Sequence, residues 1–180
     1  GHATDSKLVY LNQTFNFYKE NLKRFICNPF KNDYEKVFQS AFYRYKILKQ
    51  LKNNNSLETD FIFREKYRGG AKNSNTRTKT TLEYYNNMIN SNYVLCLRGT
   101  GNFSIRFYEA LMMGKIPIFI NTDCILPFSK IINWKDHVIW VEWLNVDNIA
   151  NIILDFHEKI SNSDFQDLQL RNRNLWLDKL

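Results

Sequence analysis

The sequence is poor in the residue types that build metal sites, disulfide frameworks and membrane spans. Its 180 residues include three cysteines and three histidines, and neither set has the spacing of a metal site. It contains no Asp-x-Asp pair, and no run approaches the roughly 20 apolar residues of a membrane span. Long low-complexity linkers and internal repeats are also missing. These absences predict no resident metal, no transmembrane segment and a reducing environment for the cysteines.

The composition is that of one folded domain. Hydrophobic residues make up 44% of the chain and charged residues 24%, which is typical of globular rather than disordered proteins. The length is sufficient for one domain with a substantial core and short for two. We therefore predict a single domain over residues 3–180, with residues 1–2 as a tag remnant. No secretory leader is visible in the sequence.

The positive charge is concentrated in one stretch. The chain carries a formal net charge of +7, which suits an acidic partner such as nucleic acid, a membrane surface or a phosphorylated ligand. Residues 64–79 contribute a net of +5 to that total. We interpret the stretch as a basic loop that approaches an anion; the alternative is a solvated run of charge. Its cations are Arg64, Lys66, Arg68, Lys72, Arg77 and Lys79.

Residues 93–121 have the pattern of a strand, a glycine turn, a helix and a second strand. The apolar runs 93–97 and 116–120 are typical of buried strands. Gly99 and Gly101 permit a tight turn between them. Asn102 is the predicted helix cap, and Gly114 stands where a helix commonly ends. This is one βαβ step of a parallel sheet.

The start of the predicted helix has the charges of an anion site. Free backbone N–H groups and the helix dipole favour anions there, and Arg98, Ser104 and Arg106 flank the same point. Glu109 lies one turn deeper, where its carboxylate could accept hydrogen bonds from sugar hydroxyls. Helical spacing puts Phe103 on the neighbouring face that packs on the sheet. The alternative is that Arg106 and Glu109 form only a surface ion pair.

Strand-like and helix-like segments alternate through most of the chain. Further strands are predicted at 22–27, 60–64 and 137–141, and helices at about 32–52, 80–90, 145–160 and 163–176. This order predicts an α/β domain with a mostly parallel, Rossmann-like sheet flanked by helices. Ligands of such sheets bind at the carboxyl ends of the strands. Arg64 and Arg98 are both predicted to lie there.

Several motifs together resemble the exostosin family of glycosyltransferases. They are Arg98-Gly99, Ser104-x-Arg106-x-x-Glu109-Ala110-Leu111, Gly114-x-Ile116-Pro117 and Leu126-Pro127-Phe128, followed by Ile132-Asn133-Trp134. The resemblance implies the C-terminal, donor-binding half of a two-domain GT-B enzyme. In that family-like arrangement Arg98, Ser104 and Arg106 hold the donor diphosphate, and Glu109 holds the ribose. The complete predicted donor site is Arg64, Arg77, Arg98, Gly99, Gly101, Asn102, Phe103, Ser104, Arg106 and Glu109.

The resemblance also implies the substrates and the missing parts. The donor is a nucleotide sugar, with a UDP-sugar as the first expectation, and it acts as substrate without a cofactor or metal. The acceptor is a hydroxyl of a glycan or another molecule, and the transfer inverts the anomeric carbon. The acceptor site belongs to an N-terminal domain or partner chain that this sequence lacks, so no catalytic base is named. The expected location is the cytoplasm, or the Golgi lumen if the chain is a fragment of a longer eukaryotic enzyme.

Three other functions remain open at this point. A dinucleotide-binding protein would use Gly99-x-Gly101-x-x-Ser104, but serine replaces the third glycine of that fingerprint. A nucleic-acid-binding module would use the basic loop and the tyrosines, yet the sequence contains no recognised nucleic-acid motif. A non-catalytic partner could keep the donor-domain architecture without turnover.

Overall fold

Three parallel strands form the centre of the molecule. The computed structural model describes residues 2–64 and 66–180, and for Tyr67 and Arg68 it describes the backbone alone. Strands β1 (Tyr93–Cys96), β2 (Ile116–Asn121) and β3 (Ile139–Glu142) pair in the order β1-β2-β3. Leu95 lies opposite Ile118, and Ile120 lies opposite Val141. The structure confirms an α/β fold with a parallel sheet flanked by helices, as in a Rossmann-like GT-B half.

Six α-helices surround this sheet. None of those within the described ranges is long and apolar enough to cross a membrane. Short 3₁₀ helices lie at Tyr67–Gly70, Trp134–Asp136 and Trp143–Asn148. The α-helices are α1 (Lys7–Cys27), α2 (Ser40–Lys52), α3 (Ser74–Ile89), α4 (Ile105–Met112), α5 (Ile149–Lys159) and α6 (Asn162–Lys179).

Side chains alternate between the two faces of the sheet and build a core on each. On one face, Leu95 and Ile118 pack with buried residues of α2 and α5. On the other face, Cys96 and Phe119 pack with Met88 of α3 and with α4. The ring of Phe107 from α4 lies 5.3 Å from Phe119 and 5.2 Å from Trp134. Because both faces are covered, the strands are apolar, as is typical of parallel sheets, except at the last residues of β2 and β3, Asn121 and Glu142.

The βαβ step over residues 93–121 is confirmed. Gly114 ends α4 with φ +64°, and the amide of Lys115 donates to the carbonyl of Ala110 at 2.8 Å, so the left-handed residue closes the helix. Ser104, rather than the predicted Asn102, is the N-cap residue. Asn102 instead donates to the carbonyls of Thr122 and Asp123, each at 3.0 Å. The prediction of an Asn102 cap is therefore wrong, because Asn102 ties the loop after β1 to the loop after β2.

Two predicted strands are wrong. Residues 22–27 form the last turns of α1; a short apolar run cannot by itself distinguish a strand from a helix. Cys27 at the end of that run is consequently exposed, whereas Cys96 in β1 is buried. Residues 60–64 are not assigned to a strand. The carbonyl of Arg64 accepts a hydrogen bond from the amide of Ala3 at 2.8 Å, which is an isolated contact rather than part of a ladder between strands.

Several helix starts also differ from the predictions. The helix predicted from residue 32 begins only at Ser40, because Asn21 holds the backbone of Glu35 through two hydrogen bonds. The helix predicted from residue 80 begins at Ser74, after a capping box of Asn73 and Thr76. With the 3₁₀ helix at Tyr67–Gly70, most of the predicted basic loop is therefore helical. A 3₁₀ turn precedes α5, and Ser161 caps α6.

Candidate functional site

A cavity of about 580 Å³ lies beyond the carboxyl end of β1, between α2, α3 and the start of α4. Its volume is in the range of small-molecule pockets, roughly 300–1,000 Å³. Three guanidinium groups and one carboxylate contribute to the lining, so the cavity is basic. The lining residues are Arg44, Arg64, Thr80, Thr81, Tyr84, Tyr85, Leu95, Leu97, Gly99, Thr100, Gly101, Phe103, Ser104, Ile105, Arg106 and Glu109.

Tyr84 links the cation and the carboxylate of α4. Its hydroxyl donates to Oε2 of Glu109 and accepts from Nε of Arg106 at 3.3 Å. The guanidinium of Arg106 also lies 4.9 Å from the centre of the Tyr84 ring. Burial raises the pKa of Tyr84, and the hydrogen bond to Glu109 raises it further, although the Arg106 cation opposes the shift. The tyrosine therefore remains a hydrogen-bond donor at neutral pH.

Arg44 brings a further cation from α2 into the cavity. Its Nη2 donates to the carbonyl of Arg98 at 3.0 Å and lies 3.4 Å from that of Leu97, and its Nη1 donates to the carbonyl of His2 at 2.9 Å. Burial and the nearby cation Arg106 lower the pKa of Arg44 to about 10, so the group stays charged at neutral pH. The guanidinium thus fixes the turn after β1 while it faces the cavity.

Arg64 reaches the cavity from the extended segment before the first 3₁₀ helix. Its Nη2 donates to the carbonyl of Thr80 at 3.2 Å and pairs with the carboxylate of Glu83. The Arg64 side chain is only 15% exposed, whereas that of Glu83 is 53% exposed. These contacts hold the Arg64 guanidinium at the side of the cavity that α3 forms.

Arg98 lies outside the lining of the cavity. It is 4% exposed, and its Nη2 binds Oε2 of Glu35 and the carbonyl of Thr100, both at 3.2 Å. The guanidinium stacks 5.0 Å from the centre of the Phe38 ring. Arg98 therefore joins the turn after β1 to the segment that precedes α2, and its predicted part in donor binding stays a prediction.

The other predicted site residues divide into two groups. The structure brings seven of them to the cavity, and Asn102 and Arg77 lie outside its lining. Arg77 is exposed on α3, and the Arg68 side chain falls outside the described residues. The seven that line the cavity are Arg64, Gly99, Gly101, Phe103, Ser104, Arg106 and Glu109.

Arg44 and Tyr84 were not among the predicted site residues. Each had a detectable signal, because each lies one helical turn from a buried apolar residue on the same face of its helix. Arg44 stands between Ala41 and Leu48 of α2, and Tyr84 precedes Met88 of α3 by four residues. A polar side chain on an otherwise apolar face commonly has a buried partner.

Metal-ligating side chains do not cluster in the part of the chain that the structure describes. No group of three or more His, Cys, Asp or Glu residues there is arranged to hold a metal ion. His137 and His157 each bond a neighbouring side chain instead: His137 meets Asn172, and His157 meets the hydroxyl of Tyr93. The cationic side chains that line the cavity are Arg44, Arg64 and Arg106.

Comparison with known proteins agrees with this architecture. The model of the exostosin GT47 domain matches residues 23–155. A protein of Arabidopsis thaliana named "Probable beta-1,4-xylosyltransferase" is 33% identical over 76 residues, which are 42% of this chain and 18% of that protein. One of Oryza sativa named "Probable glucuronosyltransferase" is 34% identical over 70 residues, 39% of this chain and 17% of that protein.

A third relative extends the comparison to animals. Exostosin-1 of Drosophila melanogaster is 38% identical over 60 residues, which cover 33% of this chain and 8% of that protein. The matched stretches thus cover less than a fifth of the length of each of these three relatives. The family model, in contrast, spans more than half of the chain and includes both α4 and the sheet. The chain belongs to the exostosin GT47 family.

Proposed function

We propose that the cavity binds the nucleoside diphosphate part of a nucleotide sugar, with a UDP-sugar as the first candidate, in a reaction that transfers the sugar to an acceptor hydroxyl. One observation carries this proposal. Three arginines, the start of α4 and the Glu109 carboxylate share one cavity. Arginine and helix N-termini suit phosphate oxygens, and a carboxylate accepts from ribose hydroxyls.

The positions of the charged groups indicate which part of the cavity would hold the diphosphate and which the ribose. Arg106 and the first amides of α4 lie together at one end of the helix, where a diphosphate would neutralise them. Glu109 lies one turn further along α4, and Tyr84 occupies its Oε2, which leaves Oε1 to accept from a ribose hydroxyl. Arg44 and Arg64 lie on α2 and beside α3, so the diphosphate would be approached from three elements.

The reaction needs stabilisation of the leaving diphosphate. The acceptor oxygen attacks the anomeric carbon while the bond from that carbon to the diphosphate oxygen breaks, and the electron pair leaves with the diphosphate. The acceptor proton passes to a general base, and attack from the opposite side inverts the anomeric centre. A well-placed donor to the developing charge is worth about 2.7–4 kcal/mol, and the arginines of the cavity would supply that stabilisation without a metal.

In this proposal, a further domain or partner chain supplies the acceptor site, the general base and the second half of the cleft. The names of two relatives, a xylosyltransferase and a glucuronosyltransferase, support the transfer of a sugar; a carbohydrate acceptor and a part in glycan or polysaccharide synthesis belong to the proposal. The cytoplasmic location, or the Golgi lumen for a fragment of a longer enzyme, stays a prediction.

The test is a set of affinities measured by calorimetry for UDP and for a single-stranded oligonucleotide at two salt concentrations. The proteins are the wild type, Arg106→Ala and Glu109→Ala. Arg171→Ala and Glu158→Ala are matched controls, because they remove the same charges from exposed positions on α6 and α5. Circular dichroism checks that each variant is folded.

A donor site predicts that both cavity variants weaken UDP binding and that neither control does. Loss of the charge-assisted contact at Arg106 costs roughly 1.5–3 kcal/mol, or about tenfold in affinity or more. A polyanion-binding site would behave differently, since removal of Glu109 would leave oligonucleotide affinity equal or higher and salt would dominate it. If Glu109→Ala binds UDP as tightly as the wild type does, Glu109 does not hold the ribose.

A further inference from the structure

Helix α1 directs its apolar face away from its own domain. The six side chains of this face are 51–68% exposed, although amphipathic helices ordinarily bury such residues against the core. They repeat at alternating steps of three and four residues along the helix, which are the a and d positions of three successive heptads. We call this row the α1 seam: Leu8, Leu11, Phe15, Tyr18, Leu22 and Phe25.

The side of α1 next to the seam is held to the domain by mostly polar contacts. Gln39 donates to the hydroxyl of Thr14 at 2.8 Å, and Asn21 exchanges two hydrogen bonds with the backbone of Glu35, at 2.8 and 2.9 Å. Arg24 donates to the carbonyl of Asp33 at 2.6 Å, and Phe17 is buried. These contacts fix the rotation of α1 about its axis, so the seam cannot turn inward without breaking them.

The width of the seam indicates the shape of its partner. A helix that packs on a globular core presents apolar residues at a, d and a flanking position, whereas a coiled coil uses a and d alone. On α1 the flanking positions are polar except for Ile26 near the end of the helix. The seam therefore fits one other helix with the same repeat. Among the described helices, only α1 carries this exposed repeat, so the complement present in this chain is a second α1.

The charges beside the seam permit self-pairing. The two lysines of the flanking positions, Lys7 and Lys19, face uncharged residues of the partner helix in both parallel and antiparallel pairs of α1. Like charges therefore do not meet across the seam. The flanking residues are Lys7, Asn12, Thr14, Lys19, Asn21 and Ile26.

The exposed area of the seam is also close to that of a standard protein–protein interface. With about 150–250 Å² for each large side chain, the exposed fractions of the six residues leave roughly 600–800 Å² to be covered on each copy. A standard interface buries about 800 Å² per partner. We propose that α1 pairs with α1 of a second copy of this chain in a two-stranded coiled coil, which makes the protein a dimer with two donor cavities.

The test is the molar mass of the whole chain in solution, measured by light scattering on a size-exclusion column at micromolar concentration. The wild type should have twice the monomer mass of 21.6 kDa. The double variant Leu11→Glu/Phe15→Glu should have the monomer mass and an unchanged circular dichroism spectrum, because both side chains are exposed in the monomer. The control Leu170→Glu should remain a dimer, since Leu170 is 59% exposed on α6 and Leu11 is 62% exposed on α1.

Three results would overturn the proposal. A monomeric wild type would mean that another segment or partner covers the seam. A double variant that remains dimeric would place the dimer interface elsewhere. If the Leu170→Glu control also became monomeric, the loss of the dimer would not be specific to the seam. Should the double variant unfold, Tyr18→Lys, at a position 63% exposed, replaces it, and a dimeric Tyr18→Lys protein would contradict the seam.

Discussion

The hydroxyl of Tyr84 donates to the Glu109 carboxylate across the gap between α3 and α4. The same oxygen accepts from Nε of Arg106 at 3.3 Å. Tyr84 therefore fixes the two α4 side chains that the proposed site needs most, one for the diphosphate and one for the ribose. In the proposed site it acts as a positioning residue.

Replacement of Tyr84 by phenylalanine should separate ribose recognition from diphosphate recognition. Without the hydroxyl, Glu109 loses the bond that orients it, so UDP affinity should fall about twofold to tenfold, the effect of one hydrogen bond. Inorganic pyrophosphate lacks a ribose and should lose less affinity than UDP, because the substitution keeps the aromatic ring that the Arg106 guanidinium contacts. Tyr108→Phe is the control, because Tyr108 lies on α4 outside the cavity lining. Equal loss of both ligands, or of neither, would contradict the assigned role; calorimetry with the two ligands decides.

Arg44→Ala should affect both stability and binding. The substitution leaves the carbonyls of Leu97 and Arg98 without the Arg44 guanidinium, which should lower the free energy of unfolding by about 1–3 kcal/mol. It also removes a cavity cation, so UDP should bind more weakly. Lys46→Ala removes an exposed cation from the same helix and should leave both quantities nearly unchanged. Urea denaturation and calorimetry measure the two effects, and wild-type stability in Arg44→Ala would show that these contacts are dispensable.

Asn172 should be a stability determinant of the sheet. It is completely buried, and its amide donates to the carbonyls of Lys115 and His137, at 3.1 and 2.9 Å. Its Oδ1 lies 2.9 Å from Nδ1 of His137 and must accept there, so this nitrogen carries the proton. Asn172→Ala should lower the free energy of unfolding by about 2–4 kcal/mol, since it removes a fully buried side chain that makes three hydrogen bonds.

The control for that experiment is Asn174→Ala, two residues along α6. Asn174 is exposed, and its substitution should change stability by less than about 0.5 kcal/mol. Thermal denaturation followed by circular dichroism should show a large decrease in Tm for the first variant only. Similar Tm values for the two would mean that solvent replaces the buried amide.

Donor binding should not depend on a divalent metal. The cavity supplies the cations Arg44, Arg64 and Arg106, and neutralisation of a diphosphate requires positive charge rather than a particular ion. UDP affinity should therefore be equal with and without a chelator. A strict requirement for magnesium or manganese would contradict the arginine-based account, and the titration should be repeated with each ion added back.

Local patterns along the chain were sufficient to predict the centre of the fold. The βαβ step, the turn at Gly114 and the parallel sheet follow from apolar runs and glycine positions, because these features depend on neighbouring residues. The positions of Arg106 and Glu109 in one cavity followed from helical spacing. The first 64 residues were predicted less well, since Asn21 and Arg24 hold the chain before α2 through contacts that no periodicity shows.

The same limit applies to the cavity. Arg98 follows β1 directly, yet it turns toward Glu35, a residue 63 positions earlier in the sequence. Arg44 lines the cavity, although the apolar pattern of its helix indicated only a place in the core. Spacing within one element predicts which face a side chain occupies, whereas the choice of partner depends on packing between distant elements.

A crystal structure of the protein soaked with UDP tests the central claim most directly. The account predicts electron density for the diphosphate within hydrogen-bonding distance of the Arg106 guanidinium, at the start of α4, and a ribose hydroxyl on the Glu109 carboxylate. The structure contains another hollow, of about 650 Å³, formed by residues 124–126 and 129–135 and by Trp140. Density for UDP in that hollow, or in the cavity with its ribose away from Glu109, would contradict the account.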